Sequence, residues 1–561
     1  MANYPDPVTR ERELLVEAEA AGGWRKYKTF LKLSGPGWLQ SAITLGGGSL
    51  AGSLYLGVLG GMTMLWLQPL AMILGIVMLS AIGYVTLSTG ERPFQAINRH
   101  VNPVLGWSWA LATLMANIVW CMPQFSLANG VLQQNLFPEQ LGAGSPLGEF
   151  GGKLVISVAI LVVTVLITWS YGSGNWGIKL YEIVLKLMVA MIVLCFVAVV
   201  VAMSRAGELD WGGILSGFIP NPRQIFSPAD SFLPYLDQLG EEARAFWSHE
   251  IVSLQIDNIA TAAATAVGIN MTFLFPYSLL RKGWTKQFCG LAVFDLAIGM
   301  FLPFVLATSC VVISAASQFH AQPVPGLVGP AQDEAGNRIE PTGKERAEYT
   351  ALLSKRLGAN SATSADELPV AEREIAAMLV TRDANRLSGA ITPLTGRTIG
   401  NVVFGLGVVG MALSTITILM LISGFVLCEM LNLTPTGWPF RMCCLAAALG
   451  VLGPFFWSQA AFKLAVPTSV FGLMLLPIAY LTFFLLMNQR SLLGEEMPTG
   501  KSRVMWNVLM FVAASIATAA SFYMVWLKSR EKGLWAIGLL LGAALVVQVY
   551  RWTCKGELKQ G

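Results

Sequence analysis

The residues with the most chemistry to offer lie in Thr44-Leu45-Gly46-Gly47-Gly48-Ser49-Leu50-Ala51-Gly52-Ser53, inside the first long apolar segment of the chain. Each glycine in a helix interior costs about 1 kcal/mol relative to alanine. Three in a row therefore predict an unwound stretch over Gly46 to Ser49. The freed N–H and C=O groups are tolerated inside a bilayer only where they line a protected cavity. The other use of small residues is close packing of a neighbouring helix. Consecutive N–H groups at the start of a half-helix favour an anion, and Ser49 adds a hydroxyl. A second polar cluster, Asn270, Thr272 and Ser278, lies with Phe275 and Pro276 in a later apolar segment. Pro276 removes a donor and kinks or restarts its helix. Gly46, Gly47, Gly48, Ser49, Asn270 and Thr272, with Phe275 as an apolar wall and Gln124 from the third segment, form the candidate substrate site.

Other groups have structural uses as well. Gln124, Asn129, Gln133 and Gln134 serve either a solute path or an interhelical hydrogen-bond network. Glu182, Asp295 and Glu429 are acids inside apolar segments, which marks them for function or for buried polar contacts that hold the scaffold. The eight cysteines are scattered and show no metal-ligand spacing, so no metal site and no cofactor are predicted. No nucleophile–base pair appears, which argues against an enzyme.

Positioning these groups requires membrane helices. Hydrophobic residues make up 54% and charged residues 12% of the 561, with mean hydropathy +0.60. A soluble domain carries about twice that charge. Apolar runs of about 20 residues recur, each long enough to cross a bilayer, and predict an all-α integral membrane protein with about 12 transmembrane helices. They fall near 36–58, 61–86, 104–136, 153–171, 179–203, 256–280, 288–316, 398–430, 437–458, 464–487, 503–527 and 532–553. Five parts follow: an arm, 1–34; spans 1–5, 35–203; an extramembrane loop, 204–250; spans 6–10, 251–487, with an insertion at 318–396; and spans 11–12 with a tail, 488–561. The net charge of +4, with basic residues near segment ends, fits the positive-inside rule rather than a nucleic-acid surface. It places both termini in the cytoplasm, with the two long loops outside and Lys528, Arg530 and Lys532 against the rule. No cleavable leader is evident. A bacterial inner membrane is the expected location. Breaks in spans 1 and 6 predict inverted five-helix repeats with a site at the midplane.

The chain resembles the natural resistance-associated macrophage protein (Nramp) divalent-metal transporters. Ser34-Gly35-Pro36-Gly37-Trp38-Leu39 looks like the opening of the family's span 1, and Thr89-Gly90-Glu91-Arg92-Pro93-Phe94 like its post-span-2 stretch. Lys179-Leu180-Tyr181-Glu182, Gly213 to Pro220, Asp295, Ser414-Thr415-Ile416-Thr417, Glu429 and Leu476-Pro477 continue the likeness in order. It implies a LeuT-like fold and alternating access. It also implies metal ligands this chain lacks. The family's Asp-Pro-Gly-Asn in span 1 is matched by Gly46-Gly47-Gly48-Ser49, and its Met-Pro-His-Asn in span 6 is read onto Thr272-Phe273-Leu274-Phe275. The three histidines, His100, His249 and His320, lie in loops or at span ends.

Three readings compete. The first is a secondary-active transporter of a small polar or anionic organic solute, favoured by the glycine run without carboxylates. The second is a divalent cation transporter that moves Mg²⁺ or Mn²⁺ largely hydrated, since Mg²⁺ sheds water reluctantly. The third is a non-transporting receptor or scaffold. The expected partners are a small-molecule or ion substrate and the lipid bilayer, with no nucleic acid.

Overall fold

The computed structural model describes residues 7–171, 173, 175–332, 338–358, 367–382, 384–396, 398–456 and 461–557. Parts of the expected arm, insertion and tail (1–6, 333–337, 359–366 and 558–561) lie outside them. The regular secondary structure among the described residues is helical apart from one two-stranded antiparallel ladder, Ala331–Gln332 with Arg338–Ile339. Ten helices are long and apolar enough to span a membrane, and the bent pair at the first span makes eleven. The helix Gly500–Glu557 supplies one more crossing. It reverses at Arg530 (φ 45°, ψ −130°). Its two ends return to the same side of the molecule, where Asn507 Oδ1 accepts from Asn488 Nδ2 at 2.8 Å and Arg551 donates to the Arg99 carbonyl at 2.6 Å. At the opposite end Lys528 meets Asp257 at 2.7 Å, so that basic turn is partly neutralised.

The first span is broken, as the glycines require, but the break is shorter than expected. Pro36–Thr44 ends at Leu45–Gly46, and a second half-helix runs Gly47–Tyr55 at 54° to the first. Only Leu45 and Gly46 leave helical geometry; Gly47, Gly48 and Ser49 form the first turn of the second half. Gly46 has no room for a side chain, because a Cβ there would strike Thr415 Oγ1. Asp295 in span 7 fixes the start of the first half-helix. Its Oδ2 accepts from Gly35 N at 3.0 Å and Gly37 N at 2.7 Å. A Cβ on Gly37 would collide with the Asp295 carbonyl, so glycine is what lets the two backbones meet.

Span 6 is also broken, at Val267–Gly268, between Glu241–Ala266 and Ile269–Arg281. The sequence expectation placed the interruption within Gly268 to Ser278 with Pro276 as the breaker; the break falls at the very start of that stretch. Pro276 sits inside the second half-helix without breaking it. Val267 and Gly268 are both extended, and Gly268 is pressed against the Trp120 ring. The front half also begins earlier than expected. Residues 241–250, read as loop, are its first turns.

Both long loops dock on that front half. Gln255 accepts from Ala229 N at 2.9 Å and donates to the carbonyls of Gln224 and Ser227 at 2.7 and 2.9 Å. The insertion contributes helices Gly343–Leu357, Val370–Leu379 and Ala384–Thr395. Buried Glu372 accepts from Trp247 Nε1 at 2.7 Å and pairs with Arg356 at 2.9 Å. Thr342 and Glu345 cap the Gly343–Leu357 helix reciprocally, and Arg386 pairs with Glu345. Burial pushes the Glu345 carboxyl upward, but Arg386 and Thr342 outweigh it and hold it below the usual carboxylate range.

Candidate functional site

A small cavity of about 30 Å³ lies where the two broken spans face spans 3, 8 and 10. Five of the expected residues line it: Gly46, Gly48, Ser49, Gln124 and Asn270. Gly47 stands behind them, its N–H donating to Gln124 Oε1 at 2.8 Å. Two expected residues are elsewhere. Thr272 is fully buried, accepting from Trp109 Nε1 at 2.9 Å and donating to the Ile269 carbonyl. Phe275 packs against Gly83 of span 2 and lines a different hollow beside Trp506. Both shifts follow from the position of the break. With the second half-helix starting at Ile269, Thr272 and Phe275 are turned toward core helices. Phe273 stacks between Trp109 and Tyr277, with ring centroids 4.4 and 4.6 Å away.

Trp120 of span 3 lines the cavity as an apolar wall, and Thr44, Thr265, Met271, Thr415 and Ser469 are walls that sequence reasoning did not assign. Thr415 belongs to a stretch already singled out for its family likeness, so a signal was there. Trp120 is held by its Nε1 on the Thr468 carbonyl at 2.6 Å. Its fixed ring forms one side of the chamber.

The glycine nest is less open than the sequence suggests. Gly46 N donates to Ser49 Oγ at 3.1 Å, and Ser49 Oγ donates back to Gly46 O at 2.8 Å. With Gly47 N on Gln124, two of the N–H groups an anion would use already have oxygen acceptors. The other ends of the broken spans also reach the cavity. Ile43 and Thr44 close the first half of span 1, and Ala264 and Thr265 the first half of span 6. Helix C-termini carry partial negative charge from unpaired carbonyls. Asn270 is fully buried, and neither atom of its amide has a hydrogen-bond partner in the protein.

Among the described residues no carboxylate lines the cavity. Among the described residues no cluster of three His, Cys, Asp or Glu could hold a metal. The intramembrane acids are engaged elsewhere: Asp295 on the span 1 backbone, Glu182 with Lys282 at 3.3 Å, and Glu429 with Arg92 at 2.9 Å. Asp257 and Glu250, near the front of span 6, pair with Lys528 and Lys355.

A family model described as "Natural resistance-associated macrophage protein-like" matches residues 37–363 and 370–527. The chain belongs to the Nramp family. It is therefore a membrane transporter, not an enzyme. Among curated proteins it is similar to the rice (Oryza sativa subsp. japonica) "Metal transporter Nramp6", 28% identical over 203 residues. That match covers 35% of this chain and 34% of the relative, so it spans about a third of each. Among solved structures, the manganese transporter of Eremococcus coleocola bound to an aromatic bis-isothiourea compound superposes with a TM-score of 0.62 at 14% identity. The match covers 94% of this chain and 95% of that one. A histidine-to-alanine mutant of the same transporter gives 0.61 at 13% identity, with the same coverage. The shared architecture is the LeuT-like fold of Nramp proteins, with two inverted five-helix repeats.

Proposed function

We propose that this Nramp protein carries a divalent cation, Mg²⁺ foremost and Mn²⁺ by the same route, with most of the ion's water retained. The observation that carries this reading is Asn270: a buried amide with both atoms free, on the wall of the midplane cavity. Its oxygen and the hydroxyls of Ser49, Thr265 and Thr415 suit the waters of a hydrated ion. The converging C-terminal ends of two half-helices favour positive charge. A naked ion without a carboxylate would face a large desolvation penalty, whereas Mg²⁺ keeps several waters readily. Membership of the Nramp family, with its likeness to the rice metal transporter and the Eremococcus coleocola manganese transporter, supports a cation over an organic solute. The occupied N–H groups of Gly46 and Gly47 weigh against an anion. The substrate-binding set is then Gly46, Gly48, Ser49, Gln124 and Asn270, with Gly47 as a support. By the positive-inside rule, the end bearing Arg99, Arg281, Arg490 and both chain ends is cytoplasmic.

The test is uptake into proteoliposomes loaded with a Mg²⁺-sensitive dye. Saturable Mg²⁺ entry, competed by Mn²⁺, is expected. Absence of flux for both ions, with uptake of an amino acid or carboxylate instead, would restore the organic-solute reading.

A further inference from the structure

We propose that the end of the molecule bearing both termini holds a specific site for an anionic phospholipid, at the base of span 1. A cavity of about 270 Å³ opens there between the N-terminal arm, span 5 and the end of span 6. Five cations line it (Lys32, Lys179, Lys186, Arg281 and Lys282) against two acids, Glu11 and Glu182. The acids are already engaged. Glu182 pairs with Lys282 at 3.3 Å, and Glu11 accepts from Trp284 Nε1 at 3.2 Å. Lys186 donates to the Ser34 carbonyl at 2.6 Å. Among the described residues, Lys32, Lys179 and Arg281 pair with no acid, and Arg281 Nε is buried with no acceptor. A pocket with three uncompensated cations and an unsatisfied guanidinium N–H calls for an anion with several oxygens. A phosphate group has that form.

The mouth of the pocket identifies the source. Ile183 lines it and is 55% exposed, and Leu187 and Leu194 continue the same face of span 5 at 66% and 68% exposure. On a membrane helix such a stripe faces acyl chains. Leu31, beside Lys32 on the arm, is also exposed. A phosphate that enters along this stripe arrives with lipid tails attached, so the ligand is a phospholipid rather than a free anion.

The site also touches moving parts. Ser34 and Gly35 form the link into the first half of span 1. Lys186 holds one of them, and the Glu182–Lys282 pair crowds the other. A bound headgroup fastens this link to span 5 and raises the cost of swinging the half-helix away.

The test compares thermal unfolding of full-length protein in phosphatidylcholine nanodiscs with and without phosphatidylglycerol, without divalent cation. Wild type is expected to be stabilised by phosphatidylglycerol. K179Q/R281Q should unfold like wild type in phosphatidylcholine but lose the preference, with phosphatidylglycerol affinity falling roughly 25-fold, about fivefold per cation. K501Q/R503Q, two exposed cations at the same end, should keep it. If K179Q/R281Q does not fold, K32Q/K179Q replaces it, and native mass spectrometry counts the phosphatidylglycerol retained by each protein. Equal stability in both lipids, or equal losses in the control pair, overturns the proposal. So does stabilisation in detergent by inorganic phosphate alone, which would make the ligand a soluble anion.

Discussion

Replacing Asn270 by leucine separates stability from function. The side chains have the same number of heavy atoms and the same branching, and the position is completely buried with both amide atoms unpartnered. A buried polar group without a partner costs about 1–3 kcal/mol. N270L removes that cost and should gain about 1–3 kcal/mol in the ion-free state. Wild type at Mg²⁺ near a hundred times its dissociation constant gains about 2.7 kcal/mol from binding alone. N270L should gain almost none, because the oxygen that receives the ion's water is gone. Thermal unfolding in detergent, with and without Mg²⁺, reads both numbers, and dye-loaded proteoliposomes read transport. The expected pattern is a higher melting temperature without Mg²⁺, a flat response to Mg²⁺ and no flux. A variant that is less stable, still protected by Mg²⁺ and still transporting would show that Asn270 serves packing and that the ion goes elsewhere.

Gly46→Ala should destabilise by about 1–3 kcal/mol through overpacking against Thr415. Adding Thr415→Ala should recover most of that loss, and a double-mutant cycle by thermal unfolding measures the coupling. Asp295→Asn removes the charge from two backbone hydrogen bonds and should cost about 1.5–3 kcal/mol. It should also raise protease access near Ser34, followed by limited proteolysis. Glu345 has a folded pKa below its ordinary value of 4.5, so its contribution is fully present above that value and fades as pH falls through the folded pKa. Hydrogen exchange in the Gly343–Leu357 helix should rise in acid, and Glu345→Gln should show the faster exchange already at neutral pH.

Much of the architecture was legible because its signals are long and redundant. Apolar length marked the spans, and three glycines marked a break that the structure places one or two residues earlier. The sixth span was harder. Proline is the strongest breaker by type, yet Pro276 is absorbed inside a helix, while the true break falls at Val267–Gly268. The tertiary partner there is Trp120, whose ring lies where a Cβ on Gly268 would be. Thr272 and Phe275 were misplaced with that break, and Asn270 survived because it follows the new start closely. The glycine run read as an anion cradle because sequence shows N–H groups but not their acceptors. Ser49 is three residues away and could be foreseen as a cap; Gln124 is 77 residues away and could not.

Trp247 and Gln255 lie on one half-helix, and each is fastened to a different extramembrane loop. The front of span 6 is thus splinted from two sides, while the start of span 1 is pinned chiefly by Asp295 and Lys186. In a transport cycle this assigns span 6 to the stator and span 1 to the rotor. A nanobody that grips the insertion would then report little of the cycle, whereas a spin label on the arm would follow it.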